Sequence, residues 1–272
     1  MTELTLKRRN ITYMELELRS FASGSSGNCY LIKSENTSLI LDAGLSAKRI
    51  CEGLAACGTD PKDVGAILIT HEHTDHTKGV GILMRKLKVP LYATIGTITA
   101  TDIGSVDDSL IHEISHDITY DINGIGITPF SIPHDAADPC GFILNDGTSR
   151  IATATDIGIM TDGILSRLYG CDSVLLESNH DIDMLRYGDY PYALKQRILS
   201  DTGHLSNKAA AEAALKLVQN GTKHLMLGHL SDKNNMPTIA QMETYSYLTD
   251  NGLNVGGDVT LKVAQRYDIT EF

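Results

Sequence analysis

From Met14 the chain alternates between apolar and polar positions through MELELRSFA, the period of a strand with one buried face. Two short β-like runs follow, CYLIK (29–33) and SLILD (38–42), divided by the polar turn ENT. SAKRICEGLAAC (46–57) has helical spacing, with Ser46 as N-cap and Gly58 past its end. GAILIT (65–70) is continuous and β-branched, which predicts a buried strand. A helix over 78–88, a strand near 90–93 and a helix near 95–103 come next. Strands then dominate at 110–114, 118–122, 125–132, 140–145 and 149–154, the last two joined by the hairpin turn Asp146-Gly147. The mixed pattern resumes with a helix near 160–168, a strand at 172–177 and a helix over 191–200 opened by Pro191. SNKAAAEAALKLVQNG (206–221) predicts a strong helix capped by Ser206 and stopped by Gly221. HLMLG (224–228) reads as a strand, 237–250 as a helix and 258–267 as an alternating strand.

No Pro/Ser/Gly-rich linker divides this pattern, so 14–272 is expected to be one domain, with 1–13 as a polar extension. The chain also echoes itself. SLILDAG (38–44) and SRIATATDIG (149–158) are both strands ending in Asp and small residues, and GAILITHEH (65–73) and DSVLLESNH (172–180) both end in a His-bearing loop. Two similar β-rich halves, packed as two sheets with helices outside, would bring both sets of loops to one edge.

Composition narrows the function. The 272 residues hold 34 acidic against 23 basic side chains, a net charge of −11 that argues against a nucleic-acid coat protein or a binder of anionic membranes. It does not exclude a nuclease whose metals supply the local positive charge. Trp is absent and aromatics are 6%, which argues against base-stacking platforms. No apolar run approaches the roughly 18 residues of a membrane span. MTELTLKRRN lacks the apolar centre of a secretory signal, and the five Cys are odd in number with no CxxC spacing. Reduced thiols in a cytoplasmic protein are expected.

Ten His stand out, and HEHTDH (71–76) concentrates three of them with an Asp directly after a buried strand. A turn there lets His71 and His73 reach one centre while Asp75 and His76 reach a second. Imidazole and carboxylate suit Zn(II), Mn(II) or Fe(II). The segment is not HExxH, because its flank is a strand rather than a helix. One loop cannot complete two metal shells. His134 (SIPHDA), Asp156 (TATDIG) and His229 (LGHLS) each follow an apolar β-like run. Taken singly, such a His is most often hydrogen-bonded at the surface; together with HEHTDH the set offers seven ligands for two ions. His112, His116 and His224 lie on or beside strands and are read as structural.

The order LDAG, HEHTDH, a lone His, an Asp after a strand and a late GHLS resembles the metallo-β-lactamase superfamily from Met14 onward. Within it, SGSSGNCYL (23–31), LLESNHD (175–181) and LSDTGHLSN (199–207) resemble the YycJ (WalJ/VicX) family. The resemblance implies an α/β class, four-layer αββα sandwich. It implies that His71, His73 and His134 hold one divalent ion, Asp75, His76 and His229 the other, and that Asp156 bridges them. Asp42 would orient the ligand loop without binding metal. Two ions about 3.5–4 Å apart activate water and polarise a substrate oxygen.

That chemistry suits a phosphodiester, thioester, lactone or β-lactam alike, so neighbouring residues must choose. Glu177 and His204 resemble a Glu–His pair of phosphodiesterase members such as tRNase Z. Glu177 accepting a proton from His204 would keep an imidazolium ready as general acid for the leaving 3′-oxygen. The helix start at Ser206 is a ready anion site. Ser25, Ser26 and Asn28 in SGSSGN offer hydroxyls and N–H groups to a phosphate, and His180 is a further contact. The resemblance implies a 5′→3′ DNA exonuclease, with Asp75 also orienting the attacking water. A small-molecule or cyclic-nucleotide phosphodiesterase is the alternative that the acidic balance favours. A thioesterase or lactonase of the same fold would not need Glu177 and His204. A metal-bearing regulatory protein follows from the family's link to a two-component signalling system. Oligomeric state is left open.

Overall fold

The computed structural model describes residues 16–272, so the expected extension at 1–13 lies outside the described residues. Two seven-stranded sheets carry the fold. The first half contributes β1 (Glu17–Ala22), β2 (Cys29–Lys33), β3 (Ser38–Leu41), α1 (Ala47–Ala56), β4 (Val64–Leu68), α2 (Thr74–Thr77), α3 (Val80–Leu87), β5 (Leu91–Ala93), α4 (Ile95–Ala100) and β6 (Ile111–Glu113). The second half contributes β7 (Tyr120–Ile122), β8 (Ile125–Ser131), β9 (Cys140–Asn145), β10 (Arg150–Ala154), α5 (Asp162–Leu168), β11 (Ser173–Glu177), α6 (Ile182–Tyr187), α7 (Tyr192–Ile198), α8 (Asn207–Gln219), β12 (His224–Gly228), α9 (Pro237–Asp250), β13 (Thr260–Val263) and β14 (Thr270–Glu271).

The echo in the sequence is a repeat in the topology. One sheet runs β14-β1-β2-β3-β4-β5-β6 and the other, read from its opposite end, β7-β8-β9-β10-β11-β12-β13. In both, the first four strands pair antiparallel and the last three join parallel. The echoing strands, β3 with β10 and β4 with β11, occupy equivalent places. Parallel strands need crossovers, and the helices supply them.

Four layers follow from where the apolar side chains point. Between the sheets lie Tyr30, Ile32, Leu39, Leu41 and Leu68 of one and Ile127, Phe142, Leu144, Leu175 and Met226 of the other. The outer face of the first sheet packs Leu31, Ile40 and Ile67 against Ile50 and Leu54 of α1 and Leu83 and Met84 of α3. The outer face of the second packs Ala152, Val174, Leu176 and Leu225 against Leu165 of α5 and Ala210, Ala214 and Leu217 of α8. Each fully buried Leu, Ile or Phe contributes about 1.5–3 kcal/mol. Among the described residues, no helix is long and apolar enough to cross a membrane.

Several expected elements are shorter or divided. The helix expected over 78–88 covers Val80–Leu87, a second piece parted from the unanticipated turn of helix Thr74–Thr77 at Gly79, where a Cβ would lie 2.1 Å from the Leu45 carbonyl oxygen. Lys88, left-handed at φ 56°, closes the second piece. The helix expected to 103 stops at Ala100, and the strand expected over 258–267 covers Thr260–Val263. Helix α6 and the edge strand β14 were not anticipated.

Candidate metal centre and active site

The parallel registers put the chemistry on one edge. Leu41 pairs with Leu68, so Asp42 and the HEHTDH loop leave the first sheet side by side. Ala154 pairs with Leu176 and Glu177 with Gly228, so Asp156, Glu177 and His229 leave the second sheet together. Cys140 N donates to Thr70 O at 3.0 Å, fastening the two edges to each other. Carboxyl ends of parallel strands are where α/β folds place ligands.

Three of these residues bend the chain. Asp42, Asp156 and His229 sit at φ 58°, 59° and 55°, the left-handed region that ordinary side chains avoid. Such strain persists where the surroundings hold it, and here it turns each side chain off its strand into the site. The loops are locked by backbone contacts: Asn28 N donates to Asp75 O (2.8 Å), Ala43 N to His76 O (2.7 Å) and Gly44 N to Asn28 O (2.9 Å). Gly44 permits this closeness, since a Cβ there would lie 1.7 Å from Asp75 O.

The seven expected ligands converge. Ligand atoms of His71, His73 and His134 lie within 4.8 Å of one another, as do those of Asp75, His76 and His229, and those of His71, His76 and Asp156. The far side of four of the five rings is held. His76 Nδ1 lies 2.7 Å from Asp42 Oδ2, His71 Nδ1 3.0 Å from Thr70 Oγ1, His134 Nδ1 3.3 Å from Gly203 O, and His229 Nδ1 2.8 Å from Glu177 Oε1. Within the cluster, His71 Nε2, His229 Nε2 and Asp156 Oδ2 are buried with no hydrogen-bond partner. Buried polar atoms are nearly always paired, so orphaned nitrogens and a carboxylate oxygen aimed at one another fit divalent metal. Burial opposes the ionisation of Asp75, but the adjacent His76 and His229 outweigh it and hold its carboxyl far below the usual range. Burial would discharge His76, but Asp156, Asp42 and Asp75 outweigh it and hold its pKa well above the ordinary value.

Glu177 does more than its pairing with His204 suggested. It is fully buried, and Oε1 lies 2.8 Å from both His204 Nδ1 and His229 Nδ1. Oε2 accepts from the backbone N–H of Ile157 (2.8 Å) and Leu205 (3.1 Å). Burial raises its pKa, yet the two imidazoles outweigh that and keep it ionised. One carboxylate therefore orients both the buried imidazole of His229 in the donor cluster and the more exposed imidazole of His204.

A cleft of about 240 Å³ opens over the cluster. Ser25, His73, Asp75, Asp156, His204 and His229 line it, together with Asp135, Tyr190, Leu194 and Arg197, which the sequence reading missed. Arg197 is ion-paired with Asp135 and is the one Lys or Arg among the lining residues. Glu72, also unassigned, accepts from Ala137 N at 2.8 Å and ties HEHTDH to the His134 loop.

The other expected substrate contacts are placed elsewhere. Asn28 is buried, its Nδ2 3.0 Å from His76 Nε2 and 3.4 Å from Asp75 Oδ2, so it buttresses ligands rather than facing the cleft. The loop's N–H groups at Ser23, Gly24, Gly27 and Asn28 bond within the protein and are not offered to a phosphate. Ser26 is exposed, 3.5 Å from Arg266 Nη1. Ser206 spends its hydroxyl capping Ala209 N. His180 is buried, and burial lowers its pKa to about 4, so it carries no charge for a phosphate at neutral pH.

A β-lactamase superfamily domain matches residues 37–230. YhfI of Bacillus subtilis, a metallo-β-lactamase fold protein, superposes with a TM-score of 0.71 over 94% of this chain and 100% of that one at 15% identity. Fold and donor set together define a metal-dependent hydrolase. Exodeoxyribonuclease WalJ of Streptococcus pneumoniae is 42% identical over 241 residues, 87% of this chain and 90% of that protein. Exodeoxyribonuclease YycJ of Bacillus anthracis is 38% identical over 247 residues, 89% and 93% of the two chains. The chain belongs to the WalJ/YycJ family of the β-lactamase superfamily.

Proposed function

We propose that this chain is a 5′→3′ DNA exonuclease using two divalent ions, Zn, Mn or Fe. His71, His73 and His134 would hold one ion and Asp75, His76 and His229 the other, with Asp156 between them. When bound, the ions supply Lewis-acid polarisation of a phosphoryl oxygen and an acidified water. The chain's own groups do the rest. Asp75, held ionised, accepts a hydrogen bond from the attacking water and orients it. His204 Nε2 donates a proton to the leaving 3′-oxygen while Glu177 steadies the Nδ1 side. Ser25 and Arg197 face the substrate in the cleft.

The observation that carries the reading is the Glu177–His204 pair beside the seven-donor cluster. A poor alkoxide leaving group needs an acid, and the thiolate of a thioester does not. The names of the two relatives supply DNA as substrate and removal from an end as the mode. Cytoplasmic location agrees with five thiols that form no disulfide. The link to two-component signalling rests on family resemblance alone. The test is degradation of end-labelled single- and double-stranded DNA and RNA with Mn(II) or Zn(II). Stepwise loss from the 5′ end of DNA is expected. Hydrolysis of thioesters or lactones without any nucleic-acid cleavage overturns the reading.

A further inference from the structure

The stretch from Asp181 to Leu199 forms a two-helix arm at the cleft mouth. Asp181 Oδ1 caps α6 through Met184 N (2.8 Å), and Asp181 N donates to Asn234 O (2.8 Å). Leu185 is fully buried beneath it. Lys195 Nζ donates to the carbonyls of Arg186 (2.8 Å) and Gly188 (2.6 Å), locking α7 to the end of α6. At the far end, His204 N donates to Ile198 O (3.0 Å), so the arm is fastened to the proton donor's own loop. Yet this rigid arm leaves Tyr187 85% and Tyr192 77% exposed, with Tyr190 between them lining the cleft. Three of the chain's eleven Tyr thus fall within six positions at the active-site mouth, a local concentration that the 6% average conceals.

We propose that the α6–α7 arm is the recognition surface for single-stranded nucleic acid: Arg197 on a backbone phosphate in the cleft, Tyr190 against the terminal nucleotide, and Tyr187 and Tyr192 stacking on bases of the strand leaving the cleft. The inference rests on the nuclease reading and adds its substrate form. Aromatic faces stack on any base without sequence preference, but paired bases in a duplex interior present no free face. A planar guanidinium suits a phosphate, and Arg197 is the cationic side chain the cleft offers. Tyr190 lines the cleft, and Tyr187 and Tyr192 are exposed three and two positions from it, which favours a strand leaving the cleft over a protein partner. The bound end would therefore be single-stranded or frayed.

The test uses the metal-loaded protein, a dye-labelled phosphorothioate single strand and its duplex, followed by fluorescence anisotropy. Tyr187→Ala with Tyr192→Ala is expected to weaken single-strand binding by roughly 10- to 100-fold, from lost stacking. Tyr187→Phe with Tyr192→Phe should restore it, since the ring faces remain. On cleavable single-stranded DNA, the Ala pair should raise KM while kcat at saturation is retained. Wild-type affinity in the Ala pair overturns the proposal, as does equal loss in the Ala and Phe pairs, which would mark a hydroxyl contact or a protein-binding surface. Tyrosine-dependent strand binding without any cleavage supports the arm and removes the nuclease reading. Cleavage with tyrosine-independent binding removes the arm alone.

Discussion

Glu177→Gln is the most searching single substitution, because it keeps volume and removes only charge and acceptor geometry. In the native site, Oε1 faces two imidazole nitrogens at 2.8 Å and Oε2 faces two backbone N–H groups. A glutamine can satisfy one side only. If its oxygen keeps the backbone donors, its NH₂ faces His204 and His229 Nδ1. His229 must then shift its proton to Nε2, the nitrogen a metal needs free. If the amide flips, the NH₂ confronts the N–H groups of Ile157 and Leu205. Each charge-assisted hydrogen bond lost costs about 1.5–3 kcal/mol. Loss of a group orienting a metal ligand typically weakens metal by about 10–100-fold. The expectation is a selective fall of that size in affinity for one of two ions, read by chelator competition and elemental analysis. Cleavage of an ordinary phosphodiester should fall at least as far as in His204→Ala. His204→Ala removes one imidazole, whereas Glu177→Gln disturbs that imidazole and His229 together. Full two-ion affinity with near-normal cleavage in Glu177→Gln would refute the shared-carboxylate argument.

His204→Ala should keep the fold and both ions, slow ordinary phosphodiester cleavage by about 10²–10⁴-fold, and matter far less for a nitrophenyl ester; equal losses on both would make His204 a binding group instead. His76→Ala or His229→Ala should weaken one ion selectively, and elemental analysis finding a single ion in the reconstituted wild type would contradict the two-ion assignment. A 5′-phosphorylated strand should be degraded faster than a 5′-hydroxyl one, with Ser25→Ala narrowing the difference; identical rates throughout would remove Ser25 from substrate binding. Burial holds His180 to a pKa of about 4 against an ordinary value near 6.5, so the unfolded chain binds the extra proton between those limits. Stability should therefore rise with pH across about 4 to 6.5, by up to about 3 kcal/mol from this residue. Denaturation of His180→Gln should show a correspondingly flatter slope, and an unchanged slope would deny the buried neutral imidazole.

The parts legible in the sequence were those where local pattern and chemistry coincide. HEHTDH follows a buried strand, and the strand-then-Asp echo at Asp42 and Asp156 marked equivalent strands of two sheets whose registers align the loops. Less legible was what each polar group does once three loops interlock. SGSSGN reads as a phosphate cradle because such turns have free N–H groups, but here internal acceptors, Asp75 O among them, take those of Ser23, Gly24, Gly27 and Asn28. Asn28 offers the same amide to solvent or to His76, and only burial decides. Glu177's contact with His229 spans 52 positions and leaves no spacing signal. Helix α6 escaped because IDMLRY is too short and too mixed in polarity to show a period, its helix depending on the Asp181 cap and the buried Leu185. Average aromatic content likewise hid where the tyrosines sit.

A strand-cleaving site that works through two ions should show itself in a metal titration. Metal-free protein is titrated with Mn(II) while release of nucleotides from a 5′-phosphorylated DNA is followed alongside bound metal. Release from the 5′ end should rise as the second equivalent binds, with no such rise in His229→Ala at the same Mn(II) concentrations. Full activity with one ion bound, or no DNA cleavage with both bound, would contradict it.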